Sequence, residues 1–244
     1  MKRSIFSIVI LVLAVFKSSI CFAQFPILDY YDNPRPKVVA TGEISKDGGV
    51  AAPSDAISMF NGKDFSEWKG NPKWIIKDGT ITCFPGSGYL YSKREFADFQ
   101  LHVEFKFPED ITGPDNMRGN SGIFLHGLYE IQILETYQNF NKFHVNGYAG
   151  SIYTQHAPLV NPMHKPGEWN TFEIIFTAPS FNPDGSYRTN PRVTVLFNGI
   201  LVQNNAVIYG LTAGARVEQK TKGGIAIQEH GSTVTFRNIW IREL

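Results

Sequence analysis

The chain has 244 residues, of which 18 % are charged and 14 % are aromatic, and its formal net charge at pH 7 is +1. A balance this close to neutral, without a basic run, excludes a nucleic-acid surface, which needs clustered positive charge. About 220 residues remain after the N-terminal segment described next, enough for one β domain with its own core.

The first 23 residues have the three parts of a secretory signal peptide. Lys2 and Arg3 supply positive charge, residues 5–16 are almost wholly apolar, and Cys21-Phe22-Ala23 offers small residues for cleavage. The apolar run of about a dozen residues is shorter than the roughly 20 that a membrane-spanning helix needs. We therefore expect export to the periplasm or the cell surface without a membrane span. Lipidation of Cys21 is an alternative, but Ile20 before it fits that signal poorly.

Cleavage after Ala23 changes the charge and cysteine counts. It removes three basic residues from 23 and leaves 20 against 22 acidic ones, for a net charge of −2. Cys83 then remains alone, so an internal disulfide is impossible and the apolar core must hold the fold. Because Cys83 lies in an apolar strand pattern, we interpret it as a small buried hydrophobe.

Residues 24–55 predict an extended lead-in rather than part of the folded domain. They contain several prolines, the pair Gly48-Gly49 and little periodicity. Such segments are typically irregular and are held on the surface of the domain that follows. The sequence therefore predicts a domain over residues 56–244.

From Ile57 onward the pattern favours β-strands and turns. Residues 99–107 alternate apolar and polar side chains, and Asp78-Gly79 and Asn198-Gly199 are typical hairpin turns. The predicted strands are 73–77, 80–84, 99–107, 121–126, 129–136, 150–153, 170–178, 192–197, 200–203, 224–230 and 233–241. Their number and the absence of a sustained helical period predict an all-β sandwich of two antiparallel sheets.

Strand alternation predicts a polar face turned away from the core. If Ile123, Ile131 and Ile227 point inward, every second neighbour on the same three strands points outward. This places on one face the side chains of Asn120, Phe124, His126, Glu130, Gln132, Gln228 and His230. A solvated strand gives the same alternation, but Glu and Gln are poor strand formers. Their presence favours a sugar-binding cleft.

Some neighbouring residues allow two interpretations. Arg118 could hold a hydroxyl or carboxylate, or it could cap its own loop. The loop aromatics could stack on sugar rings or pin their loop; they are Tyr137, Phe140, Phe143 and Tyr148.

Glu130, Gln132 and Glu135 have the spacing E-x-Q-x-x-E. Plain alternation puts Glu135 on the core side, whereas a β-bulge after Gln132 would return it to the polar face. Laminarinase-like glycoside hydrolases are similar here, with an aspartate between two glutamates. Since Gln132 has no charge to tune a neighbouring carboxyl, a double-displacement mechanism is disfavoured.

Several other chemistries lack their motifs in this sequence. It contains no G-x-S-x-G elbow, no phosphate-binding Walker loop, no H-E-x-x-H pair and no Cys/His zinc spacing. No cofactor is indicated, although an oxygen-ligated divalent cation near His126, Glu130 or His230 is compatible with the sequence.

Six ordered segments resemble the 3-keto-disaccharide hydrolase domain family. They are FNGKDFSEW at 60–68, NSGIFL at 120–125, YEIQIL at 129–134, GSIY at 150–153, PGEWN at 166–170, and QEHG at 228–231 followed by FRNIWIR at 236–242. The resemblance spans about residues 57–244 and implies a concanavalin A/laminarinase-like jelly roll. His126 lies near a position at which many members of that family have Arg.

The resemblance also implies a reaction on a carbohydrate that a partner oxidoreductase has oxidised at C3. A C3 ketone acidifies the C2 proton, so a base can form an enolate, the C1 substituent leaves, and water adds. Such a reaction needs a base, an acid and a group that stabilises the ketone oxygen.

For this reaction we predict Glu130 and His230 as base and acid, in either order. Gln132 and Gln228 are expected to orient hydroxyls, and Arg118 or a cation to polarise the ketone. The predicted substrate-binding set is completed by Asn120, His126, Glu135 and Tyr153.

Two other functions remain open from the sequence. A retaining β-glucanase would cleave unoxidised glucans and would need the bulge that aligns Glu135. A non-catalytic carbohydrate-binding module would bind sugars and turn none over.

Overall fold

The computed structural model of the protein describes residues 34–35, 37–38, 52–70, 72–212 and 219–244. The predicted signal peptide 1–23, with Cys21, lies outside the described residues. So does most of the predicted lead-in 24–55.

The described residues form sixteen strands and two short 3-10 helices. The strands are β1 Lys37–Val38, β2 Ile57–Phe60, β3 Ile75–Lys77, β4 Thr80–Cys83, β5 Leu90–Tyr91, β6 Phe99–Lys106, β7 Ser121–Leu125, β8 Tyr129–Ile133, β9 Val160–Asn161, β10 Asn170–Thr177, β11 Ser180–Phe181, β12 Tyr187–Thr189, β13 Arg192–Phe197, β14 Ile200–Val207, β15 Ala226–Ile227 and β16 Val234–Glu243. The 3-10 helices are Tyr137–Asn139 and Val145–Gly147.

Two antiparallel sheets make the body of the fold. The larger has eight strands in the order β14-β13-β10-β6-β16-β4-β3, with β2 also paired to β16. The smaller has four strands in the order β5-β15-β7-β8. Two-stranded pairs, β1 with β9 and β11 with β12, lie outside these sheets.

The core lies between the two sheets. The alternating side chains of β6, including Leu101, Val103 and Phe105, are fully buried there. Ile123, Ile131 and Ile227 contribute the inner face of the four-stranded sheet to the same cluster. This arrangement confirms the predicted all-β, concanavalin A-like jelly-roll sandwich. Cys83 is buried in it, and burial raises the pKa of its thiol to about 12.

Both hairpin predictions are confirmed by the backbone. Asp78-Gly79 joins β3 to β4 with φ values of 49° and 73°, and Asn198-Gly199 joins β13 to β14 with 50° and 76°. Positive φ at two successive residues is the geometry that matches the twist of a tight hairpin.

Several predicted strands are shorter in the structure, two of them by most of their length. Residues 224–230 form a strand only at Ala226–Ile227, and residues 150–153 make isolated bridges from Ile152 to Ile131 and His156. None of the helices that the structure describes is long and apolar enough to cross a bilayer.

Candidate active site

Two rows of side chains cross the outer face of the four-stranded sheet. Cross-strand pairing aligns Tyr91, Ala226, Phe124 and Glu130 in the first row. The second row, two residues further along each strand, runs through Tyr89, Gln228, Gly122 and Gln132. We call this surface the site face. Although it points away from the core, Glu130, Gln132, Phe124 and Gln228 are all buried.

Glu130 is the carboxyl group at the centre of the site face. Its side chain is 3 % exposed, and no hydrogen bond or ion pair to its carboxylate is found among the described residues. Burial alone raises the pKa of this carboxyl to about 8. A carboxyl group without a local cation is held neutral by desolvation over most of the physiological range, which is typical of a functional acid or base.

Gly122 makes room for this carboxylate. The two residues are diagonal neighbours on β7 and β8, and the Glu130 side chain leans over the Gly122 backbone. A Cβ at position 122 would stand 2.9 Å from Glu130 Cγ and 3.0 Å from Cδ. The glycine therefore fixes where the carboxylate lies.

Three buried oxygens in the second row lack a hydrogen-bond partner within the part of the chain that the structure describes. Gln132 Nε2 donates to Asn120 Oδ1 at 3.3 Å and Gln228 Nε2 donates to the Tyr89 hydroxyl at 2.7 Å. The carbonyl oxygens of both amides accept from no described residue, and neither does Ser151 Oγ beside Gln132. Buried polar atoms are nearly always satisfied in native proteins. Three buried oxygens without a described hydrogen-bond partner on one face therefore indicate a polar ligand.

A segment beyond β8 extends the site face by one more position. Tyr153 N donates to Glu130 O at 3.1 Å and Gln132 N donates to Ser151 O at 3.1 Å, so Tyr153 continues the first row and Ser151 the second. The His144 ring lies 6.1 Å from the Tyr153 ring, between centroids. His144 Nδ1 bonds to Asn146 Oδ1. Since an amide oxygen only accepts, Nδ1 carries the proton.

The structure thus brings together five of the nine predicted site residues on the site face. They are Glu130, Gln132, Gln228, Asn120 and Tyr153. Asn120 is 7 % exposed and its Nδ2 donates to Asn116 O at 2.6 Å, so both ends of its amide are already engaged.

The predicted position of His126 is wrong. β7 ends at Leu125, and His126 adopts a left-handed φ of 54° in the turn to β8. Its ring packs 4.8 Å from Phe176 and near Phe99 and Tyr129, and Nε2 donates to Ala97 O at 3.2 Å. Burial lowers the pKa of this imidazole. Strand alternation fails here because the residue has already left the strand.

Arg118 and Glu135 form an ion pair beyond the end of β8. Arg118 Nε donates to Glu135 Oε2 at 2.6 Å, and Glu135 Oε1 accepts from Tyr137 N at 2.8 Å. Arg118 also lies 3.6 Å from Asp115. The register between β7 and β8 is regular up to Ile133, so the β-bulge that would place Glu135 on the site face is not formed.

His230 lies at the rim of the site face rather than within it. It is exposed and follows β15 in an irregular segment that stays beside residues 117–121. Among the contacts of the described residues, none joins His230 to Glu130. The strand that was expected to carry His230 ends at Ile227, so the approach of both side chains to one substrate stays a prediction.

The sequence matches a family model described as the 3-keto-alpha-glucoside-1,2-lyase-like domain over residues 55–242. The chain belongs to this family. The predicted resemblance is therefore confirmed.

Relatives of known name agree with the family and the fold. A 3-keto-disaccharide hydrolase of Bacteroides thetaiotaomicron is 27 % identical, with 77 % of this chain and 78 % of that protein covered. The crystal structure of a protein proposed to be a glycosyl hydrolase from Parabacteroides distasonis is 49 % identical, with a TM-score of 0.78 and 87 % and 93 % covered. A second such structure from that organism, at 24 % identity and 78 % and 99 % coverage, shares the fold with a TM-score of 0.57.

Several residues of this family member's site face escaped sequence reasoning. Tyr91 ends the two-residue strand β5 and Tyr89 precedes it, and a strand this short gives no alternation pattern. His144 lies in a loop without periodicity, and its contact with Tyr153 brings it near Glu130. The aromatic run G-Y-L-Y at 88–91 is a signal that could have pointed to the tyrosines.

No three His, Cys, Asp or Glu side chains within the described ranges come together as a metal-ion cluster. The divalent cation remains a prediction.

A cavity of about 410 Å³ lies elsewhere, lined by residues that include Gln155, His156 and Gln203. It has no carboxyl group in its lining. The side chains of these three residues already donate to backbone carbonyls. The site face, which has a buried carboxyl group and amide oxygens without partners among the described residues, is therefore the better candidate for the active site.

Proposed function

We propose that the protein is an exported enzyme that cleaves 3-keto-glycosides, with Glu130 as the base that removes the C2 proton. The observation that carries this proposal is the buried Glu130 carboxyl, which has no partner among the described residues and lies beside amide oxygens that accept no hydrogen bond from them. A pKa of about 8 makes its ionised form a much stronger base than an ordinary carboxylate. Membership of the 3-keto-alpha-glucoside-1,2-lyase-like family supports the same chemistry.

The reaction proceeds by elimination and hydration. The C2–H bond breaks, its proton passes to Glu130, and the electron pair forms an enolate with the C3 ketone. The enolate then expels the C1 oxygen substituent, which takes up a proton, and a C1–C2 double bond remains. Addition of water across that bond gives the free 3-keto sugar.

The surrounding polar groups are suited to hold the sugar. The unpartnered oxygens of Gln132, Gln228 and Ser151 accept hydrogen bonds from substrate hydroxyls, which removes the cost of burying them unpaired. His230 at the rim and His144 beside Tyr153 are the two candidates for the acid that protonates the leaving oxygen.

The ketone oxygen needs a separate partner. Arg118 loses support for this role because its Nε is bonded to Glu135. A divalent cation and the Tyr153 hydroxyl are the remaining candidates.

The proposal places the protein after an oxidation step and outside the cytoplasm. Its substrate requires an oxidoreductase that converts the C3 hydroxyl of a glycoside to a ketone. The N-terminal signal predicted at residues 1–23 supports export.

Incubation with a 3-keto-glucoside and with its unoxidised parent, in both anomers, tests the function. Release of the aglycone from the keto form alone is expected. Release from the unoxidised parent would instead indicate a retaining glucanase, and binding without release of either would indicate a binding module.

Exchange of the C2 proton with deuterated water tests the base. We expect exchange to be lost in Glu130→Gln and retained in His230→Gln. Unchanged exchange in Glu130→Gln would remove Glu130 from this role.

A further inference from the structure

Three aromatic rings form a continuous surface beside Glu130 on the site face. The Tyr89 and Tyr91 rings stack with centroids 6.0 Å apart and planes 21° apart, and Tyr89 lies 6.1 Å from Phe124. Tyr91 is 51 % exposed and Tyr89 is 37 % exposed. None of the three rings belongs to the core cluster between the sheets. Two exposed tyrosine rings that continue from the buried Phe124 ring are suited to bind the flat face of a ring.

The spacing of this surface from Glu130 fits a substrate of two rings. Phe124 pairs directly with Glu130, Ala226 follows on the next strand, and Tyr91 lies on the third. Neighbouring strands are about 4.8 Å apart, so Tyr91 and Glu130 are roughly 14 Å apart along the row. The Glu130 carboxylate leans over Gly122, one strand nearer to the tyrosines. A ring held by the carboxylate would therefore adjoin a ring held by the tyrosines.

Gln228 connects the two positions. Its Nε2 donates to the Tyr89 hydroxyl at 2.7 Å, while its Oε1 has no partner among the residues described. Ala226, the small residue between Phe124 and Tyr91, leaves space above the sheet. A cavity of about 170 Å³ next to Tyr91 and Lys69 provides room for substituents on the outer ring.

We propose that Tyr89, Tyr91 and Phe124 form the subsite for the leaving group, and that this subsite selects glycosides whose leaving group is a ring with a flat apolar face. The proposal rests on the function proposed above. Phenols and pyranoses share this chemistry, and the substrates of the test distinguish them. The subsite determines specificity, since the tyrosines lie two strands from the reacting carbon.

Cleavage of three 3-keto-glucosides with different leaving groups tests the subsite. The leaving groups are methanol, phenol and glucose, each in both anomers. In Tyr91→Ala we expect kcat/KM to fall about 10-fold for a ring leaving group, mainly through KM, and less than about twofold for methyl. A loss confined to phenyl identifies a phenolic leaving group, and a loss confined to glucosyl identifies a sugar.

Two variants serve as controls. Tyr89→Phe retains the ring and should keep the preference for ring leaving groups. Ile175→Ala removes an exposed apolar side chain from the outer face of the other sheet and should change nothing. An equal loss on the methyl and ring substrates in Tyr91→Ala, or no loss on any of them, would overturn the subsite.

Binding to the Glu130→Gln variant separates failure of the subsite from failure of the proposed function. Calorimetry with phenyl and methyl 3-keto-glucosides should show that Tyr91→Ala in this background weakens only phenyl binding. If the wild-type protein cleaves no 3-keto-glucoside, the proposed function is overturned, while this difference in Kd still supports the subsite. Equal Kd values with and without the Tyr91 ring overturn the subsite whatever the catalytic result.

Discussion

The Glu130 carboxylate rests over the backbone of Gly122, where any other residue would place a Cβ within 3.0 Å of its side chain. This contact joins β7 to β8, two neighbouring strands of the site face. It keeps the carboxylate away from water and from the hydrogen-bond donors of the sheet, which is the physical cause of its raised pKa.

Gly122→Ala is expected to abolish most activity while preserving the fold. The backbone at 122 does not have a positive φ, so alanine fits the strand and only the Glu130 side chain must move. A displacement of this kind can cost about 100-fold in kcat/KM. Activity and thermal unfolding of the variant are the measurements. Gly210→Ala, at a position with no neighbour within 4 Å of a Cβ, is the control. Full activity in Gly122→Ala would show that the carboxylate's position is unimportant.

The pH dependence of kcat/KM should report the ionisation of Glu130. A base must be deprotonated, and the pKa of this carboxyl is about 8. The rate should therefore rise about tenfold per pH unit below that value and level off above it. Rates between pH 5 and 9 on one 3-keto-glucoside measure this. A rate that instead falls as pH rises through 8 would mean that Glu130 acts as the acid.

The same ionisation should make the wild-type protein less stable as pH rises. The folded pKa of about 8 lies above the ordinary value of 4.5, so between these values the folded state holds a proton that the unfolded state has lost. Stability from this group is complete below pH 4.5 and is lost progressively up to pH 8. Glu130→Gln removes the effect, so its stability relative to wild type should grow by on the order of 4 kcal/mol from pH 5 to 8.

Urea unfolding of both proteins at several pH values measures this difference. All other titrating groups are common to the two chains, so the difference isolates residue 130. A difference that stays constant with pH would show that the Glu130 pKa is not raised in the folded state.

Local patterns in the sequence predict the structure correctly where the structure depends on residues that are neighbours in the chain. Asp78-Gly79 and Asn198-Gly199 form the predicted hairpins because both residues of each pair tolerate positive φ. Alternation also placed Glu130, Gln132 and Gln228 on one face, since all three continue the register of paired strands.

Alternation does not predict the direction of a side chain where the strand ends before the alternating sequence pattern does. His126 directly follows the last residue of β7, and His230 lies three residues beyond the end of β15. From such points the backbone conformation decides where a side chain lies. The Arg118–Glu135 ion pair and the contact of His144 with Tyr153 depend on how loops fold against one another. Periodicity carries no information on such contacts.

Glu135→Gln should affect stability more than catalysis. Glu135→Gln removes the charge of one partner of a largely buried ion pair and leaves Arg118 with the more exposed Asp115 carboxylate, although the amide can still accept one hydrogen bond. We expect a loss of about 1–3 kcal/mol in the free energy of unfolding. Because Glu135 lies off the site face, kcat/KM should change less than about tenfold. Chemical denaturation and steady-state kinetics measure both. A loss of activity as large as that of Glu130→Gln would instead support the alternative in which Glu135 is the nucleophile of a retaining glucanase.

Arg35→Ala should loosen the loop that carries His144. The Arg35 guanidinium donates to the carbonyls of Asn141, Lys142 and Phe143 at 3.1, 3.3 and 2.9 Å and to the Tyr148 hydroxyl, and it stacks over the Tyr148 ring. Arg35→Lys should have the same effect, because lysine lacks the planar guanidinium that donates to several carbonyls at once.

We expect faster hydrogen exchange in residues 137–149 and a several-fold lower kcat/KM in Arg35→Ala, since the loop adjoins Tyr153 and Glu130. Arg192→Ala, which removes a guanidinium bonded to one backbone carbonyl of β14, is the matched control. Unchanged exchange in the loop would show that Arg35 does not hold it. Faster exchange with unchanged kcat/KM would show that the loop, and with it His144, does not contribute to the reaction.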